Sequence, residues 1–237
     1  MQIEPLSSNR TFIYYLMRRS MRYHSPISAS CIFDITDTLA RIDRDRAAGR
    51  KVGLVSAFIK ATAICIEKYP QFNQRMFHNM FGSPRIATFD EISCNTVVGR
   101  QAENGEAILL PLVLRRANTM SVEDIQGAIR HYKTAPLNEL DAASQLQQVS
   151  RLPRWLIRFL HWRFRREPGF LISKVGTYAV SALPHHGTGG VASFTPTSQT
   201  AFFPTTLQEQ VLPIDGEPAI RTTLTCTITG DHGIVDG

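Results

Sequence analysis

The chain lacks the features that membrane-spanning and disulfide-rich proteins need. No apolar run among its 237 residues approaches the roughly 18–20 residues that cross a bilayer. The first ten residues have no basic stretch followed by an apolar one, so they do not have the pattern of a signal peptide. The four cysteines (Cys31, Cys65, Cys94 and Cys226) are scattered and form no Cys-x-x-Cys pair. We therefore expect free, buried thiols in a cytoplasmic protein.

The excess of positive charge is confined to one segment. Residues 151–167 contain six arginines and one glutamate, a charge of +5, so only about +1 of the net +6 belongs to the rest of the chain. This distribution does not predict a nucleic-acid partner. The chain has neither internal repeats nor a low-complexity linker. We expect one domain over residues 1–237.

Hydrophobic periodicity predicts a mixture of helices and strands. Predicted helices cover residues 8–22, 37–48, 53–69, 121–132 and 137–149. Predicted strands cover residues 27–34, 85–88, 93–101, 107–113, 177–183, 199–203, 206–211 and 219–229. Helices mixed with mostly antiparallel strands indicate an α/β (α+β) two-layer sandwich, a mixed sheet with flanking helices.

A histidine near the end of the chain is the strongest chemical candidate. His232 follows an alternating strand and precedes Asp236-Gly237 by four residues. Because imidazole changes charge between about pH 5 and 8, it can take a proton from an attacking thiol, hydroxyl or amine. This His-x-x-x-Asp-Gly pattern resembles the motif of the chloramphenicol acetyltransferase-like superfamily, where it marks the base for acyl transfer from a thioester. By itself the pattern is also found in solvated turns.

The resemblance extends over nearly the whole chain. In order and spacing, the sequence is similar to the catalytic domain of the dihydrolipoamide acyltransferases of 2-oxo acid dehydrogenase complexes. Arg10, Ile13, Met17 and Ser20 stand in the register of that family's opening R-x-x-I-x-x-x-M-x-x-S pattern. Further segments that resemble family motifs are Phe58-Ile59-Lys60-Ala61, Tyr69-Pro70, Phe72-Asn73, Asn104-Gly105 with Leu110-Pro111, Gly176 to Leu183, and Ser193-Phe194-Thr195-Pro196.

The resemblance implies a role for five residues. His232 corresponds to the general base, and Ser181 to a hydroxyl that stabilises the oxyanion, a donor whose loss typically costs about 10²–10³ in rate. Asp236 corresponds to a residue that fixes the loop, with Arg10 as its partner, and Gly237 allows a tight turn. The family also implies a homotrimer in which His232 of one protomer faces Ser181 of its neighbour. For Ser181 taken alone, a strand serine facing solvent or backbone is the alternative.

The chain departs from the family at three places. The family pattern begins at Arg10, which leaves no room for a lipoyl or peripheral-subunit-binding domain and favours a stand-alone protein. Gly233 follows the histidine where the family usually has arginine. The sequence stops at Gly237, where the family continues into a final helix, and this is consistent with either a truncated chain or a trimer that forms no larger cage.

The basic segment 151–167 has no obvious counterpart in the family. If it is helical, Arg154, Arg158, His161 and Arg165 form a basic stripe beside an apolar face of Trp155, Phe159 and Trp162. A surface helix with solvated arginines, a peripheral contact with a membrane surface or a partner protein, and steering of an anionic acyl carrier all remain open.

The function that the sequence favours is acyl transfer. The expected donor is a coenzyme A, lipoyl or phosphopantetheine thioester, and the acceptor a thiol, hydroxyl or amine on a small molecule, with no metal. The alternatives are a catalytically silent trimeric scaffold and an accessory subunit of a 2-oxo acid dehydrogenase complex. His185-His186 has no third ligand at a recognisable spacing, Gly187-Thr188-Gly189-Gly190 lacks the Lys-Ser/Thr of a phosphate-binding loop, and Cys226 is expected to be a core residue.

Overall fold

The computed structural model describes residues 14, 17–18, 24–79, 81–101, 107–140, 152–182 and 200–235, without the side chains of residues 107, 154, 157, 158, 161, 164 and 165. Most of the predicted helix at 8–22, the turn at Asn104-Gly105 and all but the start of the predicted helix at 137–149 lie outside these residues. Within them, the architecture is a mixed sheet with helices packed on one face.

Six strands form the main sheet, in the order β1-β8-β7-β6-β4-β5, and two form a separate hairpin, β2-β3. In the main sheet β6 lies parallel to both its neighbours, and the other pairs are antiparallel. The strands are β1 (Pro26–Asp34), β2 (Gln74–His78), β3 (Pro84–Thr88), β4 (Cys94–Gln101), β5 (Ala107–Leu114), β6 (Tyr178–Val180), β7 (Ala201–Ile214) and β8 (Glu217–Asp231).

Five helices are described: α1 (Thr36–Ala47), α2 (Leu54–Lys68), α3 (Val122–Thr134), α4 (Arg154–Arg166) and α5 (Pro168–Val175). The first three confirm the predicted helices to within two residues at each end. The capping box predicted from the sequence begins α3, where the Ser121 hydroxyl accepts from the Asp124 backbone N–H at 3.0 Å. Short 3₁₀ turns occupy Pro70–Asn73 and Leu137–Glu139.

The core lies between the sheet and the two central helices. Ile59 and Ile66 of α2 and Ile125 of α3 pack against Tyr178 and Val180 of β6. Because side chains alternate along a strand, Ala179 and Ser181 point to the opposite face of the sheet. A small apolar cluster of Ala179, Ala201 and Phe203 lies on that face. The predicted two-layer arrangement is confirmed.

Several predicted boundaries were wrong. The two strands predicted at 199–203 and 206–211 are one strand, β7, whose pairing with β8 shifts between Pro204 and Thr206. Proline has no N–H to donate to the neighbouring strand, so Pro204 in the sequence indicated the end of a strand, whereas in the structure it marks an irregularity within one strand. The strand predicted at 177–183 is three residues long, and residues 137–139 form a 3₁₀ turn instead of the first turn of an α-helix.

Neither β2 nor α5 was predicted from the sequence. β2 has five residues and α5 has eight, which is too short for hydrophobic periodicity to identify either. The prediction of buried thiols holds for Cys94 and Cys226 but is wrong for Cys65, which is exposed on α2. None of the helices in the described ranges is long and apolar enough to cross a membrane.

Candidate functional site

His232 occupies the first position after β8, in a tight turn fixed on both sides. Its backbone N–H donates to the Ser25 carbonyl at 2.8 Å, just before β1 begins. The N–H groups of Ile234 and Val235 both donate to the Asp231 carbonyl, at 2.9 and 3.0 Å. The backbone around His232 is therefore held by bonds to two segments, while its side chain is exposed.

One nitrogen of the His232 imidazole has a backbone partner. Its Nδ1 lies 3.3 Å from the Val235 carbonyl oxygen. A carbonyl can only accept, so in this contact Nδ1 carries the proton and donates. The neutral ring then has its lone pair on Nε2, the form that a general base needs.

Ser181 follows β6 in the middle of the sheet. Its backbone N–H donates to the Phe202 carbonyl at 2.9 Å, and the residue is half-buried. The alternation along β6 places Ser181 on the face opposite α2 and α3. The strand is preceded by Gly176 at φ 69°, where an added Cβ would lie 2.7 Å from the Ser93 carbonyl oxygen. Glycine at this point allows β6 to begin close to the Ser93 backbone, directly before β4.

The strand register separates His232 from Ser181 within one protomer. Ala179, Ala201 and Thr229 are aligned across β6, β7 and β8. His232 lies three residues beyond Thr229, whereas Ser181 lies two residues beyond Ala179 in the opposite direction. At about 3.3 Å per residue and 4.8 Å per strand, the two residues are roughly 20 Å apart. One protomer cannot bring both to the same carbonyl group.

Asp231, directly before His232, organises the turn with its side chain. Its Oδ1 accepts from the N–H groups of Gly233 at 3.0 Å and Ser25 at 3.4 Å, and its Oδ2 lies 2.8 Å from His24 Nδ1. Burial raises the pKa of Asp231, but the hydrogen bonds from His24 and Gly233 outweigh it, so the pKa lies below its ordinary value. The carboxylate is therefore ionised at neutral pH.

The hairpin strand β2 lies behind the same turn. Burial lowers the pKa of Arg75 to about 10, against the opposing effect of the Asp231 carboxylate, so Arg75 stays charged at neutral pH. A Cβ added at Gly233 would lie 2.6 Å from Met76 Cε. Glycine at position 233 thus has a local reason, because Met76 occupies the space that a side chain would fill.

The remaining predicted site residues, Arg10, Asp236 and Gly237, lie outside the described residues, as do His185 and His186. Among the residues that the structure describes, no three His, Cys, Asp or Glu side chains cluster as metal ligands would. Sequence reasoning assigned no role to His24 or Asp231. His24 and Asp231 are 207 residues apart, so their contact leaves no local pattern in the sequence. The position of Asp231, the acidic residue that ends an otherwise uncharged second half of β8, is a weak signal.

An apolar cavity of about 410 Å³ lies between α2 and the sheet. Its lining includes Ala57 and Ala61 of α2, Leu224 and Ile228 of β8, and Asp34. Neither His232 nor Ser181 is among its lining residues. Within one protomer it is separate from the candidate site.

No protein-family model and no curated protein matches the chain. Solved structures do. All of this chain aligns with 85% of a chain from the cubic core of a pyruvate dehydrogenase complex, at TM-score 0.71 and 16% identity. The Azotobacter vinelandii dihydrolipoamide acetyltransferase gives TM-score 0.72 at 16% identity, again over 100% and 85% of the two chains. A chloramphenicol acetyltransferase gives TM-score 0.52 at 15% identity, over 100% and 91%. The chain has the chloramphenicol acetyltransferase-like fold that its motifs predicted, the fold of the dihydrolipoamide acetyltransferase catalytic cores.

Proposed function

We propose that the protein is an acyltransferase in which His232 is the general base. The observation that carries this proposal is the contact between His232 Nδ1 and the Val235 carbonyl, which leaves Nε2 as the basic nitrogen of an exposed imidazole. The fold supports it, because solved structures with the same fold include acetyltransferases. The backbone bonds at Ser25 and Asp231 supply the rigidity that a positioned base requires.

The reaction needs no group beyond a thioester and an acceptor. Nε2 removes the proton from an acceptor thiol, hydroxyl or amine as its heteroatom attacks the thioester carbonyl. The tetrahedral intermediate then collapses, the carbon–sulfur bond breaks, and the leaving thiolate takes the proton from the imidazolium. Coenzyme A, a lipoyl group or phosphopantetheine supplies the thiol of the donor.

The complete site is formed between protomers of a homotrimer. Ser181 is the proposed oxyanion donor, and its separation of roughly 20 Å from His232 in one protomer requires that it come from a neighbour. The Azotobacter vinelandii structure addresses the role of a serine, a histidine and an asparagine in the catalytic mechanism of that enzyme, and the asparagine is four residues after the histidine. Asp236 stands at the equivalent distance from His232 here.

Release of free thiol from a panel of acyl-coenzyme A donors tests the proposal. Because a positioned base contributes about 10²–10⁴ to the rate, we expect His232→Ala to lose activity by that factor. His131→Ala, which removes an exposed histidine from α3, is the matched control and should retain full activity. A folded protein with no turnover on any donor, with or without an added thiol acceptor, would instead favour the scaffold.

A further inference from the structure

Helix α4 presents three large aromatic side chains to solvent. Trp155, Phe159 and Trp162 are 69%, 49% and 41% exposed. Their spacing places them within about 60° of one another around the helix axis. The rings of Phe159 and Trp162 stack with centroids 5.8 Å apart and planes 20° from parallel. The exposed rings therefore form a continuous stripe.

The other side of α4 holds the helix against the protein. Leu156 and Leu160 are half-buried, and the helix contacts both β2 and α5. Arg163, in the last turn, pairs with Glu167 at 2.9 Å and lies over the Phe170 ring at 4.2 Å. Because these contacts already attach the helix, the exposed aromatic stripe is not needed for that purpose.

The stripe lies in the most basic segment of the chain. Residues 151–167 contain six arginines, and their one acidic residue, Glu167, is already paired with Arg163. The Arg166 guanidinium lies 4.6 Å from the centre of the Trp162 ring. Arginine stacked on tryptophan keeps its charge available to an anion while covering part of the ring. We call Trp155, Phe159, Trp162 and Arg166 the aromatic–arginine surface.

We propose that the aromatic–arginine surface docks on an anionic lipid bilayer, with α4 lying in the plane of the interface. Tryptophan and phenylalanine rings are stable at the boundary between headgroups and acyl chains, and arginine attracts anionic headgroups. A second copy of this chain is a poor occupant, because each copy would bring the same positive charge. A nucleic acid fits less well, because the rest of the chain adds only about +1 to extend the basic region.

Intrinsic fluorescence provides a direct test, because the chain's two tryptophans are both on this surface. We expect the emission maximum to shift to shorter wavelength when vesicles of phosphatidylcholine with about 30% phosphatidylglycerol are added. Vesicles of phosphatidylcholine alone should give no shift, and about 0.5 M NaCl should reverse the shift by screening the charges.

Vesicle co-sedimentation of variants tests the residues. Trp155→Ala combined with Phe159→Ala should weaken binding to the anionic vesicles by at least about tenfold. Phe81→Ala removes a side chain that is 92% exposed on the β2–β3 hairpin and should leave binding unchanged. Both variants alter exposed residues, and unchanged circular dichroism would verify that they fold.

Four outcomes would overturn the proposal. They are no shift with anionic vesicles, an equal shift with phosphatidylcholine alone, a larger shift with single-stranded RNA, and a lipid-independent shift that grows with protein concentration. The last would show that a second copy covers the surface. None of these measurements depends on acyltransferase activity.

Discussion

The Nδ1 atom of His24 lies 2.8 Å from Oδ2 of Asp231, the residue directly before the proposed base His232. Asp231 is buried, at 4% exposure, and the His24 side chain is 9% exposed. The other Asp231 oxygen accepts from the Gly233 N–H, so one carboxylate connects the entry to β1 with the turn after β8. Asp231 thus acts on His232 through the backbone and is a positioning residue.

Replacing Asp231 with asparagine should weaken both the fold and the site. The amide keeps the size of the side chain, but it lacks the charge that faces His24 and places an NH₂ group near other donors. We expect the free energy of unfolding to fall by about 1–3 kcal/mol. Turnover should fall with little change in KM, since His232 is displaced and no binding contact is removed. Asp43→Asn, on the solvent side of α1, should change stability by less than about 0.5 kcal/mol.

The same pair predicts a dependence of stability on pH. The pKa of Asp231 in the folded protein lies below its ordinary value of 3.8, so its contribution is fully present above that pH and is lost as pH falls through the folded pKa. Urea unfolding between pH 3 and 7 should therefore show a steeper acid loss for the wild type than for Asp231→Asn. Parallel curves would contradict this assignment.

Local sequence patterns predicted most helices and strands, but they could not predict contacts between residues far apart in the chain. The alternation in β8 and the motif after it located His232, and the segment around Ser181 was found from its resemblance to family motifs. Each follows the C-terminal end of its strand, but β6 and β8 run in opposite directions, so the two residues lie at opposite edges of the sheet. This depends on the register of three strands, which no sequence window contains. The His24–Asp231 pair could not be predicted for the same reason, because its two residues lie far apart in the sequence.

The glycine before β6 should be sensitive to the smallest substitution. Gly176 has φ 69°, and a Cβ there would meet backbone, the Ser93 carbonyl, at 2.7 Å. Gly176→Ala should destabilise the fold by about 2–3 kcal/mol and reduce turnover, because β6 carries Ser181. Gly169→Ala in α5, where a Cβ would meet nothing within 4 Å, should be neutral or stabilising by up to about 1 kcal/mol. Thermal unfolding of the two variants checks the difference in sign.

The glycine after His232 should be sensitive in a different way. A Cβ at Gly233 would lie 2.6 Å from the terminal methyl of Met76, a flexible group that can move. Gly233→Ala should therefore cost only about 1 kcal/mol. In a double-mutant cycle, Met76→Ala should remove most of this cost, giving a coupling of about 0.5–1 kcal/mol. Strictly additive effects would mean that the two residues do not share this space.

Mixing two inactive variants tests whether each site needs two protomers. His232→Ala lacks the proposed base and Ser181→Ala lacks the proposed oxyanion donor, so in the proposed homotrimer each variant alone should be impaired at every site. In mixed trimers, a Ser181→Ala protomer can supply His232 to a site whose Ser181 comes from a His232→Ala neighbour. Random assembly of equal amounts should restore about a quarter of wild-type activity. If both residues acted within one protomer, the mixture would regain no activity after it was dissociated and reassembled. Because the two residues lie roughly 20 Å apart in one protomer, that result would mean that they do not act together.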